Sequence, residues 1–232
     1  MLRLLRVWKD RLLWKYRLAT QYRNQYRTAL ASFPRSGNTW MRVLIERITQ
    51  QRSGSIYGTE EVFTRAKDGI VIKTHSGQAF QYNRVILLVR NPYDAIVSYF
   101  HWKKDFSSRE MPTWEEHVEK SVQQWKNFHL YWFKVSYPKC ILRYEEIKKS
   151  PQENLRKVTQ FLGFDYSMEA IHDAVESATL EKLRADKEAG DSGNRFFRKG
   201  RSNDGINFFS AEQRNYLKQE LEQVASSLGY QL

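Results

Sequence analysis

The chain has 232 residues, a formal net charge of +12 from 38 Lys and Arg against 26 Asp and Glu, and one cysteine, Cys140. That length suits one domain that buries about 70% of its unfolded surface without covalent staples; a lone cysteine excludes an intrachain disulfide, and so large a basic excess points to an anionic partner without naming it. No apolar run approaches the ~18 residues of a membrane span, and the first residues lack the uninterrupted apolar core of a secretory leader, so the expectation is a soluble, cytoplasmic protein.

Over residues 2–23 apolar side chains recur at helical spacing (Leu2, Leu5, Trp8, Leu12, Tyr16, Ala19) between basic positions, the pattern of one amphipathic helix. Residues 1–27 hold eight Lys and Arg against Asp10, so seven of the twelve excess charges sit there and five on the rest. Two readings stand: a helix packed on the domain with a solvated basic face, or a helix that contacts a membrane surface or a partner. The chain divides into this basic segment, 1–27, and a domain over 28–232.

Residues 28–46, TALASFPRSGNTWMRVLIE, break a short apolar run at Phe33-Pro34 and restart it with Met41, Leu44 and Ile45, which reads as strand, tight loop, helix. A helix N-terminus of this kind binds anions through its unpaired backbone N–H groups and its dipole. Taken alone, the loop reads first as an ordinary turn with Asn38 or Thr39 as N-cap. A short helix is expected near Glu60–Arg65, then a second apolar run, Gly69–Ile72, ending in Lys73-Thr74-His75. A third run, Arg84–Val89, is continuous rather than alternating, as in a strand buried on both faces; it ends in Arg90-Asn91-Pro92, and Pro92 suits the first turn of a helix.

Helices follow at about 113–134, 151–162 and 167–177 and from Ser210 onward, with a fourth strand over Lys139–Tyr144. Strands alternating with helices indicate an α/β fold, a P-loop-like three-layer domain around a central, mainly parallel sheet of four or five strands. Ligands of such sheets bind at the carboxyl ends of the strands. Residues 189–207, rich in glycine and weakly patterned, read as a flap.

Arg35, then Lys73 and His75, then Arg90 follow three successive strands, so their side chains converge on one crevice. A nucleotide hydrolase or kinase on this plan needs Gly-x-x-x-x-Gly-Lys-Ser/Thr and a strand-end Asp for magnesium; the loop has neither, and a cation stands where that Asp belongs. Arg and Lys without an acidic metal ligand suit a polyanion transformed without divalent metal. His75 is the acid/base candidate of the crevice, with an ordinary pKa of about 6.5. Spacing alone leaves open whether Ser98 works with Arg90. No Cys/His spacing suggests zinc, and no Gly-x-Ser-x-Gly elbow suggests a hydrolase.

Four segments together resemble sulfotransferases that use 3′-phosphoadenosine-5′-phosphosulfate (PAPS, leaving PAP as product). Phe33–Trp40, FPRSGNTW, is similar to the family's 5′-phosphosulfate loop YPKSGTTW; Arg90–Ser98, RNPYDAIVS, to its 3′-phosphate motif; Lys73-Thr74-His75 to the segment with the catalytic histidine; and Arg198–Ser210, RKGRSNDGINFFS, to the flap RKGxxGDWKNHFT. The wording is closest to WSC-domain-containing sulfotransferases. The resemblance implies that Arg35 and the backbone of Ser36, Gly37, Asn38 and Thr39 hold the 5′-phosphosulfate; that Arg90, Ser98, Arg198, Lys199 and Gly200 hold the 3′-phosphate; and that Trp40 and Tyr144 flank adenine. It makes His75 the base, with Lys73 and Arg35 neutralising charge during transfer to a hydroxyl of a glycan or polar small molecule. No metal and no nucleic acid partner is implied.

The chain departs from the pattern at Arg35, where many members have Lys, at Ala178-Thr179-Leu180 in place of Thr-Ser-Phe, and at Asn203 and Gly205-Ile206 in the flap. The dimerisation motif KxxxTVxxxE is absent. The alternative is a non-catalytic polyanion- or nucleotide-binding module targeted by its basic N-terminal helix; an ATP-dependent kinase is disfavoured by the missing magnesium ligand.

Overall fold

Thr28–Ser32 forms β1, and all five of its residues are buried, because it lies in the middle of the sheet. A computed structural model of the chain describes residues 27–55, 69–76, 82–106, 110–185 and 204–232. The expected helices at 2–23 and near 60–65, and the flap residues Arg198, Lys199 and Gly200, lie outside the described residues.

After β1 come α1 (Asn38–Thr49), β2 (Gly54–Ser55), β3 (Ile72–Thr74), β4 (Arg84–Val89), α2 (Pro92–Phe106), α3 (Trp114–Lys134), β5 (Lys139–Arg143), α4 (Tyr144–Lys149), α5 (Pro151–Leu162), α6 (Met168–Ser177), α7 (Leu180–Ala185), a 3₁₀ turn (Gly205–Phe208) and α8 (Ala211–Ser227). Five strands pair in the order β2-β3-β1-β4-β5, and every pairing is parallel.

Alternation along the strands divides the core in two. Ala29, Ala31, Val85, Leu87 and Val89 face one layer, where they meet α2, α3 and α8 through residues such as Ile96, Trp125 and Leu221. Leu30, Ile86, Leu88 and Leu142 face the other, against α1, α5 and α6 through residues such as Leu44, Leu155 and Ile171. Both faces of the sheet are therefore covered, which is why Arg84–Val89 reads as an unbroken apolar run. Capping boxes start α3 (Thr113 with Glu116) and α8 (Ser210 with Gln213).

Three local differences from expectation have physical causes. The second strand is shorter and later than its apolar run, so Lys73 and Thr74 lie inside it rather than beyond it. Gly69 passes against Gly54, where an added Cβ would stand 2.3 Å from the Gly54 nitrogen, and Ile70 donates to the Arg52 carbonyl at 3.0 Å. β2 is two small residues with no strand signature of their own, held by register with Ile72 and Lys73. The 3₁₀ turn begins inside the segment read as flap and ends one residue beyond it: the Gly205 N–H donates to Asp94 Oδ1 at 2.8 Å, and a Cβ there would meet the Asp94 nitrogen at 2.6 Å.

Candidate active site

The order β3-β1-β4 places the carboxyl ends of three neighbouring strands side by side. Registers Ala31 with Thr74 and Ser32 with Leu88 bring His75, which directly follows β3, and Arg90, which directly follows β4, to either side of the loop that follows β1.

That loop has two residues with positive φ, Arg35 at 68° and Gly37 at 88°. At Gly37 a glycine is required twice over, since the conformation disfavours a Cβ and a Cβ would lie 2.8 Å from the Tyr144 Cδ2. Gly37 is the N-cap of α1; among the described residues no side chain caps this end and no acidic residue sits in its first turn. The expected cap at Asn38 or Thr39 is therefore corrected. Asn38 is turned into the core, where its Nδ2 donates to the Leu30 carbonyl at 2.9 Å and to Ser32 Oγ at 3.2 Å, so the first amides of α1 keep their positive end for a ligand. Ser36 Oγ is fully buried without a hydrogen-bond partner among the described residues.

Arg35 and Arg90 interlock. The Arg90 Nη1 donates to the Arg35 carbonyl at 2.8 Å, while the Arg35 Nε donates to Ser98 Oγ at 3.4 Å. Ser98 thus joins the loop after β1 to the helix after Arg90; spacing left open whether it works with Arg90, and the bond seen is to Arg35. Arg90 is buried, and its guanidinium lies 4.5 Å over the Tyr144 ring, whose Cδ2 and Cε2 lie against Gly37. Trp40 is also buried and is fixed by donation from its Nε1 to the Ala178 carbonyl at 3.0 Å.

His75 is half-buried at the end of β3. Its Nδ1 lies 2.8 Å from the Ser32 carbonyl and 3.2 Å from Ser32 Oγ. A carbonyl only accepts, so Nδ1 carries the proton and Nε2 the lone pair. Withdrawal from water, followed by the positive charge of Lys73, lowers the pKa to about 4; the Ser32 bond opposes this, and Arg35 adds to it. The imidazole is neutral at pH 7, in the form that accepts a proton.

The structure thus brings together Arg35, Ser36, Gly37, Asn38, Thr39, Arg90, Ser98 and Tyr144, with Lys73 and His75 beside them. Sequence reasoning missed Ser32, Asp94 and Glu145. Ser32 had one signal, a polar residue closing a buried strand; Glu145, whose Oε1 accepts from the Asn91 N–H at 3.1 Å, sits next to Tyr144 and had none.

Residues 70–229 match the model of the sulfotransferase domain. The chain belongs to the sulfotransferase domain family. Its relatives include a WSCD family member of Aedes aegypti, 30% identical over 166 residues that cover 62% of this chain and 52% of that protein, and one of Drosophila melanogaster, 28% identical over 64% of this chain and 54% of that protein. The chain spans about half the length of these curated relatives, and they agree with the resemblance to WSC-domain sulfotransferases. Among solved structures, mouse sulfotransferase SULT7A1 complexed with PAP is similar over 93% of this chain and 91% of that one, with a TM-score of 0.73 and 26% identity. A retinol dehydratase at 18% identity and a TM-score of 0.65 shares the fold. The sulfotransferase fold is therefore established for the five-stranded parallel sheet. No helix among the described residues is long and apolar enough to cross a membrane.

Proposed function

We propose that this chain transfers the sulfuryl group of PAPS to a hydroxyl of a glycan or polar small molecule. The observation that carries the reading is His75, held by the Ser32 carbonyl with its lone pair on Nε2, at the strand end beside a glycine loop and an uncapped helix N-terminus. The chain's residues fit such a donor: Ser36 Oγ is buried without a partner among the described residues, and Arg35 and Arg90 supply fixed positive charge.

Arg35 and the amides of Ser36, Gly37, Asn38 and Thr39 would hold the 5′-phosphosulfate, Arg90 and Ser98 the 3′-phosphate, and Trp40 and Tyr144 the adenine; for Arg198, Lys199 and Gly200 the same role rests on the motif alone. When bound, PAPS supplies the sulfuryl group, whose bond to the 5′-phosphate oxygen breaks as the acceptor oxygen bonds to sulfur, so that PAP leaves. His75 takes the acceptor's hydroxyl proton at Nε2. Burial, and after it the charges of Lys73 and Arg35, depress the basicity of His75 in the free protein, and neutralising the two cations with an anion raises it when the proton must be accepted. The same two cations offset negative charge that grows on the leaving phosphate, so positioning and electrostatics do the work without a metal. Cytoplasmic location and contact of residues 1–27 with a membrane surface complete the proposal; binding to anionic vesicles that is lost on deleting 1–27 tests the latter.

The test is calorimetric titration with PAP and transfer of labelled sulfate from PAPS to an acceptor panel. His75→Ala is expected to bind PAP like the parent and to lose transfer; undiminished transfer overturns the role of His75.

A further inference from the structure

Around the proposed nucleotide site, one partly buried hydrogen-bond network reaches a part of the chain far from every motif. Glu145 stands in the first turn of α4, directly after Tyr144, the ring under Arg90. Its two carboxylate oxygens serve different segments. Oε1 accepts from the Asn91 N–H at 3.1 Å, in the turn that carries Arg90, and Oε2 accepts from the Tyr230 hydroxyl at 2.7 Å. Asn91 Oδ1 in turn accepts from the Tyr93 N–H at 3.0 Å, which shapes the start of α2.

Tyr230 follows α8 and is only 7% exposed. Burial, with the Glu145 carboxylate, raises its phenol pKa, so it stays a neutral donor. Its segment is anchored independently: the Arg143 Nη1 donates to the Gly229 carbonyl at 2.9 Å, Gly229 has φ 81°, and a Cβ there would lie 2.8 Å from the same Nη1. Arg143 is the last residue of β5 and is also paired with Glu146. A hydroxyl at 230 is not needed to fill space, since a phenyl ring occupies nearly the same volume; its effect here is to hold one oxygen of Glu145 so that the other faces Asn91.

From this juxtaposition we infer that Glu145 and Tyr230 are positioning residues for Arg90: a clamp in which the segment after α8 fixes the β4–α2 turn, and with it the guanidinium that would meet the 3′-phosphate. The clamp touches no ligand. It acts by limiting Arg90 to the one placement that its contacts with the Arg35 carbonyl and the Tyr144 ring define, so binding does not have to select that placement from several. This inference rests on the PAPS reading of the site.

The test compares PAP with AMP, which lacks the 3′-phosphate, by calorimetric titration of the parent chain, Tyr230→Phe and Glu145→Gln. Tyr230→Phe removes one hydroxyl and leaves the ring; Glu145→Gln keeps an acceptor for Asn91 and removes the charge. The clamp predicts that Tyr230→Phe weakens PAP at least about tenfold, the scale of one lost charge-assisted hydrogen bond. AMP affinity stays unchanged, and Glu145→Gln shows a smaller effect of the same selectivity. A parent that prefers PAP to AMP together with a Tyr230→Phe variant that binds PAP equally well overturns the clamp alone. Equal losses for PAP and AMP, with a lowered thermal midpoint, also overturn it, because they mark a purely structural role. A parent that does not distinguish PAP from AMP overturns the reading of the site and the clamp with it.

Discussion

Gly37→Ala is the substitution through which the geometry of the loop is most exposed. The residue has φ 88°, a conformation that costs an L side chain about 1–2 kcal/mol. The new Cβ would also stand 2.8 Å from the Tyr144 Cδ2 and 3.2 Å from its Cε2, so the ring must shift by several tenths of an ångström. That ring is the surface under the Arg90 guanidinium, a contact worth about 1–2 kcal/mol in a desolvated place. Strain in the free protein lowers the thermal midpoint by about 3–8 °C for a chain of this size. Displacement of the amides and of Arg90 together weakens PAP at least about tenfold. Scanning calorimetry reads the first effect and isothermal titration the second. A variant with the parent's midpoint and the parent's PAP affinity would refute both the left-handed loop and the packing of Tyr144 against it.

Two further outcomes concern protons. His129 is fully buried with Nδ1 2.7 Å from the Trp125 carbonyl, and burial lowers its pKa to about 4; His117, whose ring meets the Ile96 carbonyl through Nε2, is lowered to about 4 mainly by the same cause. Because these groups bind protons more readily unfolded than folded, stability is complete above about pH 6.5 and is lost as pH falls toward 4. His129 alone contributes on the order of 3 kcal/mol to that loss, and urea unfolding of His129→Gln should show a flatter acid limb; an identical limb contradicts the buried neutral imidazole. For catalysis, the lowered pKa of His75 means that kcat/KM holds from pH 7 to about pH 5.5, where a base of ordinary pKa has lost most of its active form. A fall centred on pH 6.5 refutes the environment assigned to His75.

The fold was legible wherever burial leaves a periodic trace. Arg84–Val89 announced a strand covered on both faces, Pro92 and Ser210 announced helix starts, and the strand-end position of Arg35, His75 and Arg90 followed from alternation of elements. What was illegible depended on contacts distant in sequence. Gly54-Ser55 becomes a strand only because Ile72 and Lys73 pair with it. Asn38 is a good cap by composition, yet the Leu30 carbonyl and Ser32 Oγ draw its amide inward, and Gly37 takes the N-cap position with no side chain to cap the helix. The partnership of Arg35 with Ser98 joins residues 63 positions apart, and no local pattern reports such a distance. The tautomer of His75 likewise depends on a carbonyl in another strand.

The central claim is that a histidine held by the Ser32 carbonyl and an array of fixed cations suffice for sulfuryl transfer at this site. Transfer of radiolabelled sulfate from PAPS, followed in the presence of excess EDTA with parent and His75→Ala side by side, tests it most directly. The account predicts that the parent turns over at an undiminished rate with the chelator present, while His75→Ala loses at least about a hundredfold, the usual worth of a general base. Transfer that vanishes with EDTA, or that survives intact without the imidazole, would contradict it.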